Sequence, residues 1–514
     1  MRTYENVKDV ALLSLSLSLS FVYFNLWPDS PEFLAIGGFL CFSPFFAWLF
    51  RNVSRHFLYL SIVSAFYFVS LGIVISSHFG IDSRYGAIVG FCEFAVLLSV
   101  IRLWRRTHTT VDGTLLCLVW LTWVSVDYIV AYFYGIAFLP PIQLFRFPFV
   151  IQPISLLGFS FIDAFVIGIN ILIGVVLASL MGGRPCVPTC HRRYTLFAFF
   201  SIASWILLCA IACSSTDISN LPSVRMSTIS PGKKFEGNLD DIVGLTSDAS
   251  KVAKSQFIVW PELYINPRHT SNKTCEQYIR EEVMPRLLDI DSYIVVGCDE
   301  HTDHEECPFG NLAFTISPKG SSILGSYGKQ HPVTMIGERS CIRNGYHVYK
   351  VDEDTQVNGL RVPGDLAFST LICYDMDFAD SAAHVADSGA HFILNPSEDW
   401  TAARGHFAAS VFRAVENRVS VAKCDWGWDS VIIDPYGNLR ASFATEEEHR
   451  QVLTADVPIW LNRSGWYFLR QNVFPLLCIF TLLVYVTKNL AKPMHMSSGT
   501  SLSDIEARLV GNNS

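Results

Sequence analysis

Three short strings in the middle of this chain carry residue types able to form and discharge a covalent acyl intermediate. The first, Phe257-Ile258-Val259-Trp260-Pro261-Glu262, is a β-branched and aromatic run that ends in a carboxylate, with a proline that stops the strand. The second is Tyr327-Gly328-Lys329-Gln330-His331. In the third, Phe368-Ser369-Thr370-Leu371-Ile372-Cys373-Tyr374-Asp375, a buried-type strand delivers a cysteine to its C-terminal tip. A helix is expected just beyond, opened by Asp377 or Asp380.

Each string alone is weak, because a cysteine on an apolar strand is ordinarily a small core residue and a lone lysine ordinarily lies at the surface. Together they make a chemical unit. A thiol of pKa ~8.5 is a poor nucleophile at neutral pH. A nearby Glu can take its proton. A Lys ammonium favours the thiolate and can stabilise an oxyanion. The backbone N–H of Tyr374 is a candidate second oxyanion donor, and a helix start beyond Cys373 would favour the thiolate further.

The order Glu, Lys, Cys in the contexts Trp-Pro-Glu, Tyr-x-Lys-x-His and Ile-Cys-Tyr resembles the nitrilase (carbon–nitrogen hydrolase) superfamily over about 220–455. The resemblance implies an α-β-β-α sandwich, with Glu262 as general base, Lys329 as oxyanion-stabilising lysine and Cys373 as nucleophile. It also implies a second Glu soon after the Lys, a position held by Glu338 in Gly337-Glu338. Asn395 to Trp400, Arg413 to Arg418 and Ile432 to Gly437 are similar to later family segments.

The elements around these strings are unusual. The 514 residues are 51% hydrophobic and only 16% charged, with 38 Phe and 12 Trp. Mean hydropathy is +0.33. The net charge of -8 and the lack of a basic run give no sign of a nucleic-acid partner, and none is expected. Fourteen scattered Cys make no disulfide framework, although a bond among Cys275, Cys298, Cys307 and Cys341 is open. Apolar runs long enough to cross a bilayer lie at roughly 10–27, 33–50, 57–77, 85–104, 114–138, 159–181, 194–213 and 471–487. The first is read as an uncleaved span rather than a signal peptide, since no small-x-small cleavage site follows it. The expected organisation is a transmembrane domain at 1–213, a catalytic domain at 214–466, a last transmembrane helix at 467–490 and a disordered tail at 491–514. The fold class is thus a bundle of about eight helices, seven before and one after an α/β sandwich.

Thirteen Lys and Arg fall on the side of the N-terminus and only Arg84 and Arg146 in the short loops opposite. The positive-inside rule then puts the middle domain on the non-cytoplasmic side, periplasm or organelle lumen. Trp460, Trp466, Tyr467 and Phe468 suit an interfacial belt. Sequons at Asn272 and Asn462 would suit a secretory membrane. Cys186 to His191 is read as a silent loop or a palmitoylation site. His301, His304, Glu305, Glu306 and Cys307 are read as a solvated loop.

Helices before and after a nitrilase-type domain resemble apolipoprotein N-acyltransferase. That resemblance implies transfer of an acyl chain from a phospholipid, through a Cys373 thioester, to an amine acceptor such as a lipoprotein or another protein N-terminus. It calls for a membrane and for no metal or cofactor. The alternatives are a membrane-tethered nitrilase-type amidase and a catalytically idle scaffold. Departures fall beside the site. His331-Pro332-Val333-Thr334-Met335-Ile336-Gly337-Glu338 replaces the usual Leu-Val-Pro-Phe-Gly-Glu after the histidine, and Cys373-Tyr374-Asp375 replaces Cys-Tyr-Glu.

Overall fold

The computed structural model describes residues 2–26, 30–78, 82–108, 110–136, 139–181, 191–214, 221–232, 238–269, 273–304, 307–351, 355–399, 405–426, 429–443, 450–460 and 467–490. Cys186, Glu305, Glu306, Trp400, the second sequon, Trp466 and the tail lie outside these, as does Asn272.

Long apolar helices come first: α1 (Arg2–Phe24), α2 (Ser43–Asn52), α3 (Phe57–His78), α4 (Ser83–Trp104), α5 (Gly113–Tyr134), α6 (Phe159–Leu180) and α7 (His191–Ser214). With Gln471–Leu490 they supply eight segments long and apolar enough to cross a bilayer. The second segment departs from the single helix expected. It is a 3-10 turn, Glu32–Phe39, followed by α2, because Gly37 and Gly38 weaken the first half and Pro44 restarts the helix at its first turn. α3 and α4 meet backbone to backbone where Gly72, Gly86 and Gly90 leave no side chain between them.

The sandwich is built from two six-stranded sheets. The first has the order β14-β1-β2-β3-β4-β5, with β1 (Ser223–Ser230), β2 (Phe257–Val259), β3 (Tyr293–His304), β4 (Cys307–Ile316), β5 (Ile323–Gly328) and β14 (Gln451–Pro458). The second has the order β13-β12-β11-β10-β9-β6, with β6 (Val348–Lys350), β9 (Ala367–Thr370), β10 (Phe392–Pro396), β11 (Ser420–Cys424), β12 (Ser430–Ile433) and β13 (Leu439–Phe443). A hairpin of β7 (Gln356–Val357) and β8 (Leu360–Arg361) stands apart. The central strands pair in parallel, β1 with β2 with β3 and β9 with β10 with β11. Every residue of β2, β9, β10 and β11 is buried, as expected of strands covered on both faces. Phe257 meets Phe368 and Phe392 between the sheets. Helix α8 (Leu239–Lys251) lies on the first sheet, and α9 (Ala379–Asp387) and α10 (Phe407–Asn417) cover the second. The chain then enters α11 (Tyr467–Leu490).

The sandwich rests on the ends of the bundle where α5 finishes and α6 begins. Phe159 N–H donates to Glu416 at 2.8 Å, and Arg418 donates to Gln152 at 2.7 Å and to Ser155 at 2.8 Å. All of α10 is buried in this junction. Trp460 stacks on Tyr436 with Arg418 over both rings, so it belongs to the junction rather than to a free belt.

Two local expectations are corrected. His301 and His304 are not in a loop; they lie in β3, paired with Phe309 and Cys307 of β4. The helix after Cys373 begins only at Ala379, and its N-cap is Phe378 with no side-chain cap bond. Asp377 is unavailable as a cap because its carboxylate turns inward to His406, 2.5 Å away.

Candidate active site

The structure brings Glu262 and the Cys373–Tyr374 turn, which follow central strands, together with Lys329 after the edge strand β5 and Glu338 in the loop beyond it. Glu262 follows β2, where Gly297 of β3 lets the Pro261–Glu262 backbone lie against it; a Cβ there would sit 2.2 Å from the Pro261 carbonyl oxygen. Trp426 Nε1 and the Ser397 carbonyl hold the Glu262 main chain at 2.7 and 3.3 Å. Lys329 follows β5 and is 2% exposed. Its Nζ donates to Glu262 Oε1 at 2.9 Å and to Glu338 Oε2 at 2.8 Å. Asn311 of β4 donates to the same two carboxylates, at 2.5 and 2.9 Å. The backbone N–H groups of Glu398 and Val333 complete the set, on Glu262 Oε2 at 2.8 Å and Glu338 Oε2 at 2.7 Å.

Two carboxylates thus share one ammonium in a dry site. Burial pushes Glu262 up, against Lys329 and with help from Glu338, which suits a proton acceptor. Burial also acts on Glu338, but Lys329 overcomes it and holds that carboxyl low. Burial would discharge Lys329, yet Glu262, the Cys373 sulfur and Glu338 keep it well above its ordinary value.

Cys373 follows Leu371 and Ile372 beyond β9 and opens a 3-10 turn, Cys373–Asp377, with φ +45°. That left-handed conformation is uncommon for a residue with a Cβ and re-aims the side chain at the strand tip. Burial raises its thiol well above the ordinary value, with Glu262 adding to the rise, and Lys329 pulling against it. The short turn puts the expected helix off to Ala379. Asp375 ties this turn to the lysine loop. It accepts from Tyr327 OH at 2.8 Å, Ile372 N–H at 3.1 Å, Gln330 N–H at 3.1 Å and His331 N–H at 2.8 Å. The aspartate in Cys-Tyr-Asp therefore keeps a fully engaged carboxylate. Tyr374 OH donates to the Tyr134 carbonyl at the end of α5, 2.5 Å away. Gly135, with φ +73°, presses on the same turn, where a Cβ would stand 2.4 Å from Asp377 Cβ.

Sequence reasoning missed a second buried cluster on the other side of the sulfur. Cys373 Sγ donates to Asp399 Oδ1 at 3.6 Å. Asp399 accepts from His406 Nδ1 at 2.8 Å and from Lys423 Nζ at 2.6 Å. Lys423 also reaches Asp425 at 3.0 Å. A lysine inside the apolar strand Ser420-Val421-Ala422-Lys423-Cys424 was the available signal, as was Asn311 inside β4. Cys373, Asp399 and His406 bring ligand-type atoms within 4.8 Å of one another. Both Asp399 oxygens are already committed to cations, so the group reads as an ion network rather than a metal centre.

Known proteins agree with this picture at the level of the domain. The carbon-nitrogen hydrolase family profile matches residues 223–462. Apolipoprotein N-acyltransferase 2 of Treponema denticola is 22% identical over 284 residues, 50% of this chain and 53% of its own length. Apolipoprotein N-acyltransferase 1 of the same organism is 21% identical over 415 residues, 71% of this chain and 75% of its own. The match thus spans about half the length of the first relative and three quarters of the second. Among solved structures, an amidase from Nesterenkonia sp. is 20% identical, covers 46% of this chain and 90% of its own, and superposes with a TM-score of 0.37. Residues 223–462 are thus similar to the carbon-nitrogen hydrolase family, within a multi-pass membrane protein similar to the apolipoprotein N-acyltransferases.

Proposed function

We propose that this protein transfers an acyl chain from a phospholipid to an amine acceptor through a thioester on Cys373. Residues 1–213 and 467–490 would serve as the membrane part and 214–466 as the catalytic part. Glu262 takes the thiol proton as the sulfur attacks the ester carbonyl, and returns it to the departing lysolipid oxygen. Lys329 faces the oxyanion, with the Tyr374 backbone N–H as second donor. Glu338 and Asn311 fix Lys329 and Glu262. An amine then attacks the thioester, gives its proton to Glu262, and the thiolate leaves.

The observation that carries this reading is the seating of the Cys373–Asp377 turn on the end of α5, through Tyr374 to Tyr134 and through Ile136 N–H to the Asp377 carbonyl at 3.2 Å. A diacyl lipid leaves a bilayer at ~0.8 kcal/mol per CH₂, so a cysteine at the membrane boundary suits a donor that stays embedded. The names of the relatives support the same class, with a lipoprotein or another protein N-terminus as acceptor.

We place the sandwich on the non-cytoplasmic side. The basic residues Arg51, Arg55, Arg102 and Arg105 lie at the ends of α2 and α4, opposite the end that carries the sandwich. The buried Cys275–Cys298 disulfide suits an oxidising compartment.

The second reading, a tethered amidase, keeps the same residues with water as acceptor. Purified protein in vesicles, offered a labelled phospholipid and a peptide with a free N-terminus, should yield acylated peptide. Hydrolysis of small amides with no lipid-dependent product would favour the amidase.

A further inference from the structure

The resting sulfur does not donate to Glu262. Its hydrogen-bond partner among the described residues is Asp399 Oδ1, at 3.6 Å. Asp399 is 0% exposed and its place is over-determined. His406 and Lys423 hold its two oxygens from behind, and its backbone N–H donates to Asp425 Oδ2 at 3.1 Å. His406 is itself clamped, with Nε2 2.5 Å from Asp377 Oδ2. Asp377 belongs to the same turn as Cys373 and lies under Gly135, so the chain of contacts closes on the end of α5.

On the reading that Cys373 is the nucleophile, we propose that Asp399 is its resting-state latch, which keeps the sulfur protonated until an acyl donor is seated, and that His406 positions Asp399.

The charged groups facing the sulfur come from five places: Glu262 after β2, Lys329 after β5, Asp399 after β10, His406 just before α10 and Lys423 in β11. Burial, Glu262 and Asp399 disfavour the thiolate, while Lys329 and Lys423 favour it. The two lysines are each spoken for by carboxylates, so the resting balance favours S–H. The thiolate is the form that oxidants and stray electrophiles attack. A thiol held by Asp399 is protected, and it becomes reactive only when it turns to Glu262 and gives up its proton there.

The latch can be tested without any acyl substrate. The full-length protein in detergent is treated with iodoacetamide over pH 5–10, and Cys373 alkylation is followed by peptide mass spectrometry. Asp399→Asn removes the anion, so the midpoint should fall by about one pH unit, raising the rate at pH 7 about tenfold. Asp399→Glu should keep the wild-type midpoint. His406→Gln keeps the Asp399 anion but removes the cation that neutralises it, so it should raise the midpoint, and it serves if Asp399→Asn does not fold. An unshifted or raised midpoint in folded Asp399→Asn, or a lowered one in His406→Gln, would overturn the latch. Such a result, alongside loss of acyl transfer in Cys373→Ala, would leave the acyl-transfer reading standing. A lowered midpoint supports the latch whether or not phospholipid proves to be the donor.

Discussion

The phenol of Tyr374 donates to the main-chain carbonyl of Tyr134, 2.5 Å away, joining the turn that carries Cys373 to the end of a membrane helix. Tyr374→Phe removes this bond and leaves the ring packed. Loss of one buried hydrogen bond is worth about 1 kcal/mol. Acyl transfer from a bilayer lipid should drop about fivefold, while iodoacetamide alkylation of Cys373 changes less than twofold. An equal effect on both rates would mean that Tyr374 acts on the sulfur and not on membrane seating.

Glu262→Gln and Lys329→Met should each lower turnover by ~10² or more, as expected for a general base and an oxyanion partner. Glu338→Gln should cost about tenfold, because Lys329 and Asn311 keep Glu262 as a partner. Steady-state rates on purified variants with unchanged melting temperatures check this. Losses of only two- or threefold at Glu262 and Lys329 would make them bystanders.

The ion network behind the sulfur predicts a pH dependence of stability. Burial raises Asp425 to about 7, opposed by Lys423, whose shorter contact goes to Asp399. A carboxyl raised in the folded state stabilises fully below its unfolded pKa of about 4, and that contribution is lost as pH rises through about 7. Wild type should therefore lose roughly 4 kcal/mol relative to Asp425→Asn between pH 4 and pH 8. Thermal melts of both proteins across this range decide it; a constant gap would remove Asp425 as a titrating group.

Orientation is testable with three tags. One at the N-terminus and one after Lys492 should be cytoplasmic, and one between β3 and β4 should be on the other side. A cytoplasmic β3–β4 tag in a protease-protection assay would exclude acyl transfer at the non-cytoplasmic face.

Much of this was legible because it is written in local chemistry. Spans such as Phe159–Leu180 announce themselves by length and apolarity. The strings around Glu262, Lys329 and Cys373 each put a polar residue at the end of an apolar strand. The broken second span was harder, since Gly37-Gly38 and Pro44 sit inside a run that is apolar throughout. Asn311, His406 and Lys423 escaped notice, and Asp399 was read only as part of the Asn395 to Trp400 segment, for a different reason. Most of their partners lie 24 to 49 positions away, as with Lys423 and Asp399 or Asn311 and Glu262, and only the pairing of strands within the sheets makes them neighbours. Asp377 looked like a helix cap, and its pairing with His406 overrode that local preference.

In the proposed reaction Cys373 carries an acyl group taken from a phospholipid. Protein in vesicles of a phospholipid with one labelled acyl chain, quenched in acid and analysed by mass spectrometry, should show that chain on the Cys373 peptide. The adduct should be released by neutral hydroxylamine, absent from Cys373→Ala, and discharged by an added amine with label recovered as amide. An unlabelled Cys373 peptide in protein that is otherwise active, or equal labelling of Cys373→Ala, would contradict the account.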